Sequence, residues 1–265
     1  MTLHGRRQLA ALAILAVVVA CVADESLAPG RRVSLEEALA EFSVPALAPG
    51  MTAYTGVGSA APVIQPSACA FQPASESFVC TPIPTTGPAA GATLSQGYTL
   101  VSAAGAKQSA FDPTTTSWLH TSSTIAGTIT ENGSRSSLDG QQELTLTGLL
   151  TARHTINGSS TTRITRVTDG SEQPVTGTVT TKYVDVVLPV QPVGAPVAWP
   201  LSGGMEIQNT FDVDYPPPTP APGPVVSRLI VLFSGTSIVD VTFISRAGTR
   251  RCTTDMATQG LVCAF

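Results

Sequence analysis

The chain is short of charge, of aromatic rings and of lysine. Only 12% of its 265 residues are charged and 5% are aromatic, and lysine occurs at Lys107 and Lys182 alone. No basic patch is present to neutralise phosphates or an anionic membrane surface, so nothing in the sequence points to nucleic acid. Histidine is equally scarce, at His4, His120 and His154. His4 belongs to the N-terminal segment, so a Ser-His-Asp site would have to use His120 or His154, and no Gly-x-Ser-x-Gly elbow is present. No Cys-x-x-Cys spacing with a nearby histidine offers ligands to a metal. The Gly56-Val57-Gly58 stretch lacks the lysine and following helix of a phosphate loop. No cofactor is implied.

A membrane-spanning run is also missing at the N-terminus. Leu9–Val19 is apolar for 11 residues, which as a helix rises about 16 Å against roughly 30 Å of hydrocarbon. What that segment does have is the order of an export signal: basic His4, Arg6 and Arg7, then the apolar run, then small Ala20 before Cys21. Removing Arg6 and Arg7 takes the basic count from 14 to 12 against 18 acidic residues, a net charge near −6.

Val18-Val19-Ala20-Cys21 resembles the lipobox that closes the signal of bacterial lipoproteins. The resemblance covers residues 1–21 only, and Val18 stands where the family prefers Leu. It implies that residues 1–20 are removed, that Cys21 is diacylated with palmitate-type chains, and that Cys21 becomes the new N-terminus. Two chains hold stably where one is marginal. Val22, rather than Asp, follows the cysteine, which in that family points to the outer membrane. The expected partner is therefore a membrane, reached through Cys21.

Four cysteines remain: Cys69, Cys80, Cys252 and Cys263. Each pair has ten intervening residues. In an oxidising compartment four cysteines allow three pairings. The local ones, Cys69–Cys80 and Cys252–Cys263, are expected, because each pair flanks a hairpin pattern. A staple joining the two ends of the domain is the rival.

Residues 21–50 read as a lipidated tether with a short helix. Ser34 caps it, Glu37 completes a capping box, and Leu35, Ala38, Leu39 and Phe42 give one apolar side before Pro45. From residue 51 to 265 the pattern alternates with period two. Asn132-Gly133, Asp139-Gly140, Asn157-Gly158 and Asp169-Gly170 all read as turns that accept positive φ, with Asn157-Gly158 the clearest hairpin. In one strand over 142–156, Leu144, Leu146, Leu150, Ala152 and Ile156 share a face. In 205–215, Met205, Ile207, Phe211, Val213 and Tyr215 alternate with Glu206, Gln208, Thr210, Asp212 and Asp214. The expected fold class is all-β: an antiparallel meander forming a curved sheet, sandwich or open barrel, with one short N-terminal helix.

Catalytic candidates are thin. Glu206, Asp212 and Asp214 lie on one strand face and could serve glycoside hydrolysis or calcium binding, but charge on the wet face of a half-buried strand needs no catalytic reason. Trp118, Trp199 and Tyr215 could cluster around a ligand, and Trp199, in a Pro-rich loop, is the candidate contact. Phe265 ends an alternating strand as in outer-membrane barrels, yet 5% aromatics supply no interfacial girdles. The expected function is that of a membrane-anchored cell-envelope lipoprotein with a non-enzymatic binding or structural β domain. The alternatives are a half-barrel-like carrier of lipid or another apolar ligand, and a secreted hydrolase using paired carboxylates.

Overall fold

A computed structural model describes residues 69–84, 91–112, 114–131, 134–168, 175–189, 199–212, 224–245, 248–255 and 260–263. The expected helix, Cys21 and the Gly56–Gly58 stretch lie outside these residues. The described part is all-β. Its strands are β1 (Cys69–Gln72), β2 (Ser77–Cys80), β3 (Ile83–Pro84), β4 (Ala92–Ser102), β5 (Lys107–Gln108), β6 (Thr116–Glu131), β7 (Ser134–Thr147), β8 (Arg153–Thr168), β9 (Val175–Pro189), β10 (Ser202–Asp212), β11 (Val225–Leu232), β12 (Ile238–Ser245), β13 (Gly248–Asp255) and β14 (Gly260–Cys263).

They form one antiparallel sheet in which twelve strands follow one another in chain order, with β3 and β5 pairing only to β4. The two ends of the order are the four-residue strands β1 and β14. Every neighbour along this path is a hairpin or a short skip, the connection expected when turn signals follow one another closely.

Residues opposite one another in a ladder share a face, and the registers place the apolar positions in rows. One row runs Phe78, Tyr98, Thr121, Leu144, Gly158, Tyr183, Met205, Val231, Val241 and Cys252. Nearer one end of the strands, Leu100, Leu119, Leu146, Ile156 and Val186 form another. Leu100, Val186 and Val231 have no exposed surface, and each such side chain contributes about 1.5–3 kcal/mol relative to exposure. We call this the inner face; it also buries Ser136, Thr162, Arg166, Asn209 and Ser227, while the other face carries most of the Thr, Ser and charged side chains.

Two of the four expected turns are not turns. Asp139 and Gly140 lie within β7, and Asn157 and Gly158 within β8. Gly140 is there for space: a Cβ would meet Ile125 Cγ2 and Thr162 Oγ1 at 2.9 Å. At Asn157 the ladder is bulged instead. The register shifts between Ile156 and Gly158 against β9, and again between Ser202 and Gly204 on the other side of β9. Asp185 takes φ 47° there. Asn157 Nδ2 donates to Asp185 Oδ1 at 3.0 Å, and the Asp185 N–H donates to Asn157 Oδ1 at 2.8 Å. The Asn-Gly pair thus makes a bulge that bends three strands. The true β7–β8 connection is 148–152. Gly148 has φ 81°, and the Thr151 hydroxyl contacts the Gly148 and Arg153 carbonyls at 2.9 and 2.7 Å. The single strand expected over 142–156 is therefore two, and Leu150 is exposed at the turn. Asn132-Gly133 does fall between the paired ends Glu131 and Ser134, and Asp169-Gly170 lies in the chain joining β8 to β9.

Candidate functional site

The two cysteine hairpins sit at opposite ends of the sheet. Cys69 and Cys80 are register partners and form a disulfide. Cys252 is also disulfide-bonded, and the residue opposite it across the ladder is Cys263. Cross-strand partners in an antiparallel pair bring their Cβ atoms to about 4.5–5.5 Å, within reach of a bridge after slight adjustment. The Cys69–Cys80 bridge ties the edge strand β1 to β2.

The carboxylates named from sequence do not converge. Glu206 and Asp212 are both on the outer face of β10, six residues apart, which is about 20 Å along a strand. A glycosidase pair needs roughly 5–9.5 Å. Asp214 lies outside the described residues. Glu206 is engaged across the sheet: Arg228 Nη2 donates to its Oε2 at 2.7 Å, and Lys182 is its register partner on β9. The Arg228 hydrogen bond, and secondarily the charges of Arg228 and Lys182, hold the Glu206 carboxyl below its ordinary value. A carboxyl held ionised in this way is no proton donor.

The two histidines differ. His120, on β6, places Nε2 2.9 Å from Glu143 Oε2 and Nδ1 3.2 Å from Thr145 Oγ1, with both side chains partly exposed to water. Among the described residues no serine hydroxyl joins this pair. His154 is buried near the start of β8 opposite Leu188. Its Nδ1 has no partner, and desolvation pushes its pKa down, so it is a neutral core imidazole. Among the described residues no three His, Cys, Asp or Glu side chains gather to hold a metal.

The tryptophans are not brought together. Trp118 alternates with inner Leu119 and so lies on the outer face of β6. Trp199 precedes β10, half-buried and packed against the core. Tyr215 lies outside the described residues.

One arrangement was not legible in any single strand. The ladders align Gln96, Ser123, Gln142, Ser160 and Thr181 in one row on the inner face, across β4, β6, β7, β8 and β9. Buried apolar side chains flank it, Ile125 and Val179 on one side and Tyr98, Leu144 and Tyr183 on the other, in rows that also hold Gly140, Thr162, Thr121 and Gly158. In β10, β11 and β12 the same row continues as Ile207, Leu229 and Phe243, all buried. Each polar residue reads singly as one break in an alternating pattern. Only the register shows that the breaks coincide.

No family model, no curated protein and no solved structure matches the chain. Among the described residues no helix is long and apolar enough to cross a membrane.

Proposed function

We propose that the protein is an exported envelope lipoprotein, held at the bacterial outer membrane by acyl chains on Cys21. Its β domain works in water as a non-enzymatic binding or structural module. The anchor rests on Val18-Val19-Ala20-Cys21. The observation that carries the water-facing reading is the outer face of the sheet. There Glu143, Ser159, Lys182 and Glu206 cross four neighbouring strands in register. A lipid-facing surface would charge heavily for such a row, by about 2–4 kcal/mol for a basic residue at mid-bilayer.

The test is Cys21→Ser in full-length protein. The expected outcome is loss of palmitate labelling and movement of the folded β domain from membrane to soluble fraction, with the uncut form resolved on a gel. Retention in the membrane with a detergent requirement and a heat-dependent gel shift would contradict the proposal.

The carrier of apolar ligands is the second reading. A single sheet with one dry face running over ten strands is the raw material of a half-barrel, and this is what favours it. That argument is by analogy of fold. Copurified lipid, seen by mass spectrometry, distinguishes it.

A further inference from the structure

The inner face is mostly apolar, its polar residues outside one row, such as Ser136, Thr162, Asn209 and Ser227, being buried; one row across β4 and β6–β9 stays open to water. Gln96 is exposed, and Ser123, Gln142, Ser160 and Thr181 are half-buried, between flanking rows in which Ile125, Val179, Tyr98, Leu144 and Tyr183 are buried. Burying hydroxyl and amide groups without partners is costly, and apolar side chains there would have extended the core. No side chain of the five hydrogen-bonds to another described residue, and none has a polar atom sealed from solvent. They are five polar groups turned to the interior side of the sheet and left available. Five strands at about 4.8 Å spacing give a track roughly 19 Å long.

A second observation lies beside the track. Tyr98 is two residues from Gln96 on the same strand face and only 8% exposed. Its ring stands parallel to that of its register partner Phe78 at 4.5 Å, on the inner face. There its hydroxyl is buried with no partner. A buried hydroxyl without a partner costs about 1–3 kcal/mol in protein settings, and a ligand oxygen would remove that penalty.

From these two features we infer that the polar track is a binding site for an uncharged saccharide. The row has amide and hydroxyl donors and acceptors and no charged side chain, which matches a neutral polyol. A fatty chain is a poor fit, since the apolar surface on both sides is already closed. An extended peptide is also a poor fit. Its backbone gains most at a free strand edge, whereas this track lies on a sheet face whose backbone groups are already laddered. At the far end Ile207, Leu229 and Phe243 close the row with apolar walls, so the saccharide enters from the Gln96 side.

The experiment is calorimetric titration of the full-length protein in detergent with neutral tetrasaccharides: maltotetraose, cellotetraose and chitotetraose. Saturable binding of at least one is expected. Ser160→Leu, which fills the middle of the track, should weaken it at least about tenfold, as should Gln142→Ala if Ser160→Leu does not fold. Tyr98→Phe should weaken binding while leaving the far-ultraviolet spectrum unchanged; a purely structural tyrosine would leave binding untouched. Thr124→Leu, on the outer face of β6, should bind as the parent does. Failure of all three sugars to bind, or equal losses in Ser160→Leu and Thr124→Leu, would overturn the assignment. So would saturable binding of a fatty acid that Ser160→Leu abolishes and no sugar displaces.

Discussion

His154 is buried, and its imidazole cannot charge without leaving that setting or unfolding the chain around it. Desolvation lowers its pKa in the folded state, so the unfolded chain binds the proton more readily. The stability this provides is fully present above the ordinary imidazole value of 6.5 and is lost as pH falls toward the lower folded value. We expect urea midpoints to decline below pH 6.5, and the decline to be reduced in His154→Leu. An unchanged slope in that variant would move the effect to other groups.

Gly177 gives the second prediction at this scale. It is the register partner of Phe211 on the inner face, and a Cβ there would lie 2.3 Å from the Phe211 ring. The ring lies over the space the glycine leaves. Gly177→Val should destabilise by about 1–3 kcal/mol through overpacking, read from chemical denaturation. A neutral result would mean that the ring swings aside freely.

At the scale of the element, β1–β2 is a four-residue edge strand held to its neighbour by Cys69–Cys80. Closing that short loop contributes about 3 kcal/mol in the chain-entropy account. Cys80→Ser should lower stability by about 2–3 kcal/mol, and a non-reducing digest of the parent should yield the linked Cys69–Cys80 peptide. A Cys69–Cys252 or Cys69–Cys263 peptide would refute the local pairing.

Elements were legible where one strand's own pattern carried the information. In β10, Met205, Ile207 and Phe211 are buried as their alternation required. Legibility failed at Asn157-Gly158 because the local signal for a turn and for a bulge is the same: both need a residue tolerant of positive φ. The choice is made by Asp185, 28 residues away, whose backbone N–H binds the Asn157 side chain. The run 142–156 failed for a related reason. The turn at 148–152 is long enough to keep the apolar residues in apparent phase, so Leu150 looked like core. The aligned polar row failed most completely, because five strands had to be brought into register before it existed.

At the scale of the whole molecule, the described sheet has an open strand order with most of its charge on one face and a largely apolar face on the other. The all-β expectation holds for the described residues, while the helix expected over 34–42 lies outside them. Glu206 shows why surface chemistry was hard to rank from sequence. Its spacing to Asp212 was visible, but its engagement by Arg228 and Lys182 was not. An exposed pair of this kind is worth about 1 kcal/mol or less, so it marks a wet surface more than it stabilises the fold.

The strand order has one more consequence, in time. Along the twelve-strand path each strand joins the one made just before it, so the pairing contacts are local and the entropy lost in closing each loop is small. A chain delivered N-terminus first can lay down its sheet as a zipper closes, each new strand adding to the last free margin. During that growth the margin is always a fresh strand with unpaired backbone groups, the kind of surface that recruits other chains. The last described strand is β14, four residues long, and its Cys263 is the register partner of the disulfide-bonded Cys252. A margin this short offers another chain few unpaired backbone groups, so the β13–β14 hairpin shields the long β12 and β13 behind it. A chain truncated before Gly248 should leave β12 exposed along its full length, and light scattering on refolding should show it aggregating where the intact protein stays monodisperse.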